Sequence, residues 1–302
     1  MATVKIWLMQ IRLPFLLLTP ISVLVGVSVV VYDYGYSSIN GLYLALAFVG
    51  ALLAHIAVNV LNEYFDYQSG VDFKTVRTPF SGGSGVLIEG LLDPRSVYIL
   101  GHVCIAAIIA IGGYFWYVHG PAIVPLGVVG LATVYLYTTH ITRWPLLCAI
   151  APGLGFGPLM VMGTYFALTG TYSLAAGLAS IVPFFLVSNL LLLNQFPDVE
   201  ADSSADRRHL PIVIGRKGSS DVYALLLLAA YVALVISVVV GVLPYMALFG
   251  LLTLPLGLMA VKGARKYCDE IENLIPVMGR NVLLTLLLPL LMAIGIIISS
   301  SI

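Results

Sequence analysis

An all-α polytopic membrane protein with nine transmembrane helices is the fold class this sequence predicts, on three observations. Of its 302 residues, 60% are hydrophobic and only 9% charged, against roughly 25% charged in a soluble domain, so most helices would have no polar face to turn to water. Apolar stretches of roughly 20 residues, enough for a helix to cross the hydrocarbon core, recur nine times. Every Lys and Arg then falls on one side of the resulting topology. Continuous apolar runs, rather than alternation, exclude a membrane β-barrel. Net charge is zero, so no basic surface for nucleic acid is indicated. Cys104, Cys148 and Cys268 lack C-x-x-C spacing, which excludes a disulfide scaffold and a thiolate zinc site.

The first span, 13–32, follows Lys5 and Arg12 as a signal peptide would. It is long, however, and no small-residue cleavage site precedes Tyr32-Asp33-Tyr34, so it reads as a retained helix. The remaining spans are 42–61, 96–117, 121–139, 146–168, 174–196, 222–242, 244–261 and 281–300. The N-terminus and the connections 62–95, 140–145, 197–221 and 262–280 carry all 14 Lys and Arg residues. The opposite connections, 33–41, 118–120, 169–173 and 242–243, carry none. This bias orients the basic side to the cytoplasm. Among the acids only Asp33 lies on the outer side, and the rest concentrate in 63–93 and 198–221, apart from Asp269, Glu270 and Glu272. The outer loops are too short to build a site, so function is expected at the cytoplasmic end.

Two matching acidic segments stand there. The second span ends Asn59-Val-Leu-Asn62-Glu-Tyr-Phe-Asp66, followed by Asp72; the sixth ends Asn194-Gln-Phe-Pro-Asp198-Val-Glu-Ala-Asp202, followed by Asp206. Residues three and four apart share a helix face, so Asn59, Asn62 and Asp66 are expected in one row and Asn194, Asp198 and Asp202 in another. Asp206 would extend the second row in a continuing helix. Facing carboxylate rows repel unless cations lie between them. Oxygen ligands with open positions suit Mg²⁺, which takes one or two carboxylates plus phosphate oxygens. The spacing therefore predicts a magnesium-bridged diphosphate site. Lys74, Arg77, Arg207 and Arg208 follow the two rows as candidate phosphate contacts, and Arg12 is a further one. Ser81-Gly-Gly-Ser-Gly85 lacks the Gly-Lys-Ser/Thr ending of a nucleotide-binding loop and reads as a flexible loop. His55 and His102, inside spans, read as packing or interhelix hydrogen-bonding residues.

The two motifs resemble those of the UbiA superfamily of intramembrane prenyltransferases, and the resemblance covers nearly the whole chain, 1–302, as one membrane domain. NEYFDYQSGVD (62–72) is similar to the family's Asn-Asp-x-x-Asp signature. It differs in Glu63 at the second position and in the third acid standing six residues after Asp66. NQFPDVEADSSADRRHLPIVIG (194–215) is similar to the family's D-x-x-x-D element with its basic pair. Arg12-Leu-Pro14 resembles the family's opening. GLGFGPLMVMGTYFALTG (153–170) is similar to the fifth-helix segment of the 1,4-dihydroxy-2-naphthoate prenyltransferases (MenA-type), the branch that includes the human vitamin K-synthesising homologue, although small-residue packing would produce its glycines as well.

The resemblance implies helices ringed around a central cavity that opens to lipid. It also implies transfer of a prenyl group from an allylic diphosphate to an aromatic acceptor. Asn62, Asp66, Asp198 and Asp202 would hold two Mg²⁺, and Arg207 and Arg208 would stabilise the departing pyrophosphate. Tyr64, Phe65, Tyr67, Tyr135 and Tyr137 are candidate cavity walls, Arg143 a substrate contact, and His140 a candidate base. No obligatory protein partner is evident. Two other readings stay open: the same donor chemistry on 4-hydroxybenzoate, a glycerol-phosphate ether lipid, haem or a chlorophyllide, and an ion-coupled transporter with matched motifs in two halves. The one-sided acids argue against the transporter.

Overall fold

A computed structural model describes residues 3–301, whose only regular secondary structure is helical, with no strand among them. A short helix α1 (Val4–Gln10) and a 3-10 turn (Leu13–Leu17) lead into α2 (Leu18–Tyr34). The α3 helix (Gly41–Ser69) starts where the Asn40 side chain accepts the Leu42 and Tyr43 N–H groups, and stops at Gly70 in the left-handed region, φ 76°. It runs past the expected end at 61, which keeps Asn62 and Asp66 helical. Asp93 caps α4 (Pro94–His119), with Pro94 at the first position where its missing N–H costs nothing.

After a 3-10 turn comes α5 (Val124–Leu136). A continuous rod follows: α6 (Pro145–Leu154), a π-helical stretch (Gly155–Met162) and α7 (Gly163–Thr169). Pro158 lies in that stretch, and a residue without an N–H suits its widened turns. The chain continues through α8 (Leu174–Asn194), the short α9 (Val199–Ser203) and α10 (Leu210–Val213), and α11 (Gly215–Val239). A 3-10 segment (Tyr245–Thr253) runs into α12 (Leu254–Lys266), and α13 (Ile271–Ser299) closes the bundle.

Among the described residues, eight helices are long and apolar enough to cross a membrane. The expected fourth span, 121–139, is the shorter apolar helix Pro121–Leu136. At 1.5 Å per residue it is about 24 Å long, less than the ~30 Å hydrocarbon core. Around α2, α8, α11 and α13 side chains such as Val29, Leu186, Leu234 and Leu284 form one dry core. The α6 rod packs tightly on α8: a Cβ at Gly153 would stand 2.1 Å from the Phe184 carbonyl oxygen. By contrast α3 and α4 are only 22% and 17% buried along their apolar windows, against 67% for α8. Between α3, α4, α5 and the α6–α7 rod lies an apolar cavity of about 580 Å³.

Candidate active site

At the end of the bundle that carries the basic residues, a polar pocket of about 120 Å³ opens between α3, α9 and their following loops. Asn62, Asp66, Asn194, Asp198, Asp202, Arg207, Arg12 and Tyr137 all line it. Arg12, Asn62, Tyr137, Leu191 and Asn194 also line the apolar cavity, so the two spaces meet at these residues. Asn59, one helical turn from Asn62, faces the cavity and donates its amide to the Ile11 carbonyl at 3.0 Å.

The first row is a row of one helix, as its spacing predicts. Asn62 Nδ2 donates to Asp66 Oδ2 at 3.1 Å and to Thr138 Oγ1 at 3.0 Å. The second is not: α8 ends at Asn194, Asp198 precedes α9, and Asp206 lies beyond α9 in the left-handed region, φ 57°. Pro197, between α8 and α9, has no N–H with which to extend α8. Asn194, Asp198 and Asp202 reach the pocket across this break.

A cation does lie between the two rows, and it is Arg207. Its Nη1 donates to Asp202 Oδ1 at 2.8 Å and its Nη2 contacts Asp66 Oδ1. His209 Nε2 donates to the other Asp202 oxygen at 2.9 Å. Burial alone would raise the Asp202 carboxyl, but the His209 hydrogen bond and the Arg207 charge hold it below its ordinary value. Burial would likewise lower Arg207, and the two carboxylates raise it instead. Asp198 has no such partner: burial, with Asp202 beside it, pushes it up to about 7. Burial and the charges of Asp66 and Glu63 push Asp72, also in the pocket wall, up to about 8.

Among the described residues, Asn194 Oδ1, Gln195 Oε1 and Asp198 Oδ1 are buried oxygens with no hydrogen-bond partner. Unpaired buried acceptors are expensive, and two amide oxygens beside a carboxylate oxygen fit Mg²⁺. No ready-made cluster of three or more His, Cys, Asp or Glu is present among the described residues, which suits an ion whose shell is completed by phosphate oxygens and water.

Other expected contacts lie outside the pocket. Arg77 turns away to pair with Glu89 at 2.8 Å, and Lys74 Nζ bridges to Ser204 Oγ at 3.2 Å. Arg208, His140 and Arg143 are exposed, His140 against Thr139 Oγ1 at 2.8 Å. Tyr135, 42% exposed, stands edge-on to His102 at 6.0 Å. His55 bonds Thr19 Oγ1 at 2.9 Å, an interhelix contact as expected, while also facing the cavity. The glycine-rich run is no free loop: Ser81, Gly82 and Gly83 line the pocket. His209 and Gln195 were missed, although each adjoins a residue that the motifs single out.

Comparison with known proteins fits this geometry. Residues 15–272 match the UbiA prenyltransferase family. The chain is 29% identical over 228 residues to the 1,4-dihydroxy-2-naphthoate octaprenyltransferase of Bacillus subtilis (strain 168), covering 74% of this chain and 70% of that one. It is 29% identical over 263 residues to the UbiA prenyltransferase domain-containing protein 1 of Homo sapiens, covering 83% and 72%. In fold it is similar to a UbiA homolog from Archaeoglobus fulgidus bound to DMAPP and Mg²⁺, with a TM-score of 0.67, 15% identity and coverage of 96% and 98%. A structure from work on digeranylgeranylglyceryl phosphate synthase gives a TM-score of 0.66 at 16% identity, covering 98% and 99%.

Proposed function

The chain belongs to the UbiA prenyltransferase family, and from that premise we propose that it transfers a prenyl group from an allylic polyprenyl diphosphate to an aromatic acceptor, in quinone-type lipid synthesis. One observation carries the reading: a pocket of acids and arginine meets a long apolar cavity at Arg12, Asn62, Tyr137, Leu191 and Asn194. An allylic diphosphate has that same polarity, a highly charged head on an apolar chain. The similarity to the Bacillus octaprenyltransferase makes 1,4-dihydroxy-2-naphthoate the acceptor to test first.

Asn62, Asp66, Asp198 and Asp202, with the free oxygens of Asn194 and Gln195, would hold two Mg²⁺. The ions, when bound, neutralise the diphosphate as it leaves. Arg207 and Arg12 supply fixed positive charge beside the leaving group. The apolar walls hold the chain and exclude water from the allylic cation that forms when the C–O bond breaks. Tyr137, at the junction of the two spaces, presents an aromatic face to that cation. An electron-rich ring carbon of the acceptor then forms the new C–C bond, and the ring becomes aromatic again by losing a proton or, where a naphthoquinol forms from a naphthoate, its carboxyl group as CO₂.

In this reading residues 1–302 form one domain with nine crossings and the site on the cytoplasmic face. The fourth crossing is supported by α5 itself, which lines the cavity from Val124 to Val134, with Tyr137 just past its end in the wall of the polar pocket. The cytoplasmic orientation rests on the one-sided Lys and Arg residues. The fold shared with the synthase-derived structure keeps a glycerol-phosphate acceptor as the second reading, with 4-hydroxybenzoate beside it.

Purified protein incubated with labelled allylic diphosphate, Mg²⁺ or EDTA, and these acceptors tests the proposal by mass spectrometry. A prenylated naphthoquinol formed only with Mg²⁺ is expected. Product on another acceptor overturns the naphthoate assignment. Failure both to transfer and to bind the diphosphate in folded protein overturns the donor chemistry.

A further inference from the structure

We propose that Glu63 is a positioning residue: its carboxylate latches the Ser81–Gly85 loop, and helix α1 with it, onto the wall of the polar pocket. The functional consequence rests on the diphosphate reading of that pocket. Glu63 sits between Asn62 and Asp66 in sequence but about 100° around the helix from Asn62, and it does not line the pocket. It is only 2% exposed, and no Lys or Arg pairs with it among the described residues. A buried carboxylate so placed is costly unless neutral donors satisfy it.

Two segments far apart in sequence provide those donors. Gln10 Nε2, at the end of α1, donates to Oε2 at 2.9 Å. Ser84 gives two hydrogen bonds, its backbone N–H to Oε1 at 2.8 Å and its hydroxyl to Oε2 at 2.5 Å. Ser84 immediately follows Ser81, Gly82 and Gly83, which form the pocket wall. A Cβ on Gly83 would stand 3.8 Å from both Asp72 carboxylate oxygens and 3.9 Å from Glu63 Oε1, so the loop backbone runs between the two acids. Gly82, Gly83 and Gly85 all have positive φ. Such a segment has much backbone freedom to lose, and holding it at the pocket needs an anchor of this kind. On the far side Gly85 lies against the Arg77 guanidinium, itself fixed by Glu89. At the other end the Thr78 hydroxyl accepts the Ser81 N–H at 2.9 Å, so the loop is tied at both ends.

The geometry also distinguishes hydrogen bonding from charge. Gln10 Oε1 is buried with no partner among the described residues. In Glu63→Gln a flipped Gln10 amide would turn that oxygen toward the new N–H₂ group, and the Ser84 hydroxyl can accept as well as donate. The latch would survive loss of the charge.

The test measures steady-state kinetics and amide hydrogen exchange over 81–85 on the full-length membrane protein. Glu63→Ala and Ser84→Ala are expected to raise donor KM, Glu63→Ala by about tenfold or more as befits loss of hydrogen bonds to a charged group. Both should speed loop exchange while leaving acceptor KM unchanged. Glu63→Gln should stay within about threefold of the parent, because its hydrogen bonds re-form. Parent-like donor KM and loop exchange in both Ala variants, or a Gln variant as impaired as Glu63→Ala, overturns the latch. If Glu63→Ala does not fold, Ser84→Ala alone decides. Loop exchange reads the latch even if the parent fails to bind diphosphate, which would count against the pocket's assignment and not against Glu63.

Discussion

Arg207 and Asp198 face the same pocket with opposite electrostatic problems. Arg207 is bound to Asp66 and Asp202, so Arg207→Ala leaves two buried carboxylates without the cation they share, held only by Asn62 and His209. A loss of about 3–5 kcal/mol is expected for breaking a buried pair in this way, seen as a lower melting temperature as well as lost transfer. Asp198 has no ion pair to lose, and its Oδ1 is buried without a hydrogen-bond partner. Asp198→Asn should abolish transfer yet stabilise the metal-free protein at pH 8, by about 1–3 kcal/mol. Asp198 and Asp72, pushed up to about 7 and about 8, keep their protons in the folded chain where the unfolded chain has lost them. Stability without Mg²⁺ must therefore fall as pH rises from about 4 through 7–8. Thermal melts across that range check the sign, and added Mg²⁺ should flatten the curve by favouring the ionised forms. Spacing made Asn62, Asp66, Asp198 and Asp202 legible in the sequence. The partners of Glu63 were not, because Gln10 and Ser84 meet it only through the tertiary fold.

Helix-scale surprises came from proline and from an altered helical period. Pro197 breaks the second acidic row, yet its residues still converge because the short α9 restarts at once. The glycines of 153–163 serve two purposes, which a wheel of period 3.6 does not separate once π-helical turns intervene. Gly153 and Gly157 lie against the α8 backbone, with added Cβ atoms 2.1 and 2.5 Å from carbonyl oxygens. Gly155 has nothing within 4 Å of such an atom and faces the cavity. Gly157→Ala should therefore destabilise by about 1–3 kcal/mol, whereas Gly155→Ala should leave the melting temperature near that of the parent. Span positions were readable from hydropathy; the brevity of Pro121–Leu136 was not, because uncharged Tyr137, Thr138 and Thr139 prolong the charge-free stretch beyond the point where its helix ends.

At the scale of the whole molecule, charge asymmetry in the sequence located the site at one end, whereas the cavity could be seen only in the structure. Its walls include Gly112 and Gly127, where an added Cβ meets nothing within 4 Å. Filling that space without disturbing the packing gives a chain-length test. Gly112→Leu or Gly127→Leu should cut kcat/KM for a 20-carbon donor about tenfold, roughly the worth of two displaced methylenes, and leave dimethylallyl diphosphate almost untouched. Competition between the two donors, read by mass spectrometry, measures it. The meeting of the polar pocket and apolar cavity at Arg12 and Asn62 has a kinetic consequence too. A donor that enters tail-first from the bilayer is supplied by a two-dimensional reservoir, so its governing concentration is a mole fraction among lipids. Diluting the same amount of donor with inert lipid should then slow turnover, while diluting the surrounding buffer should not.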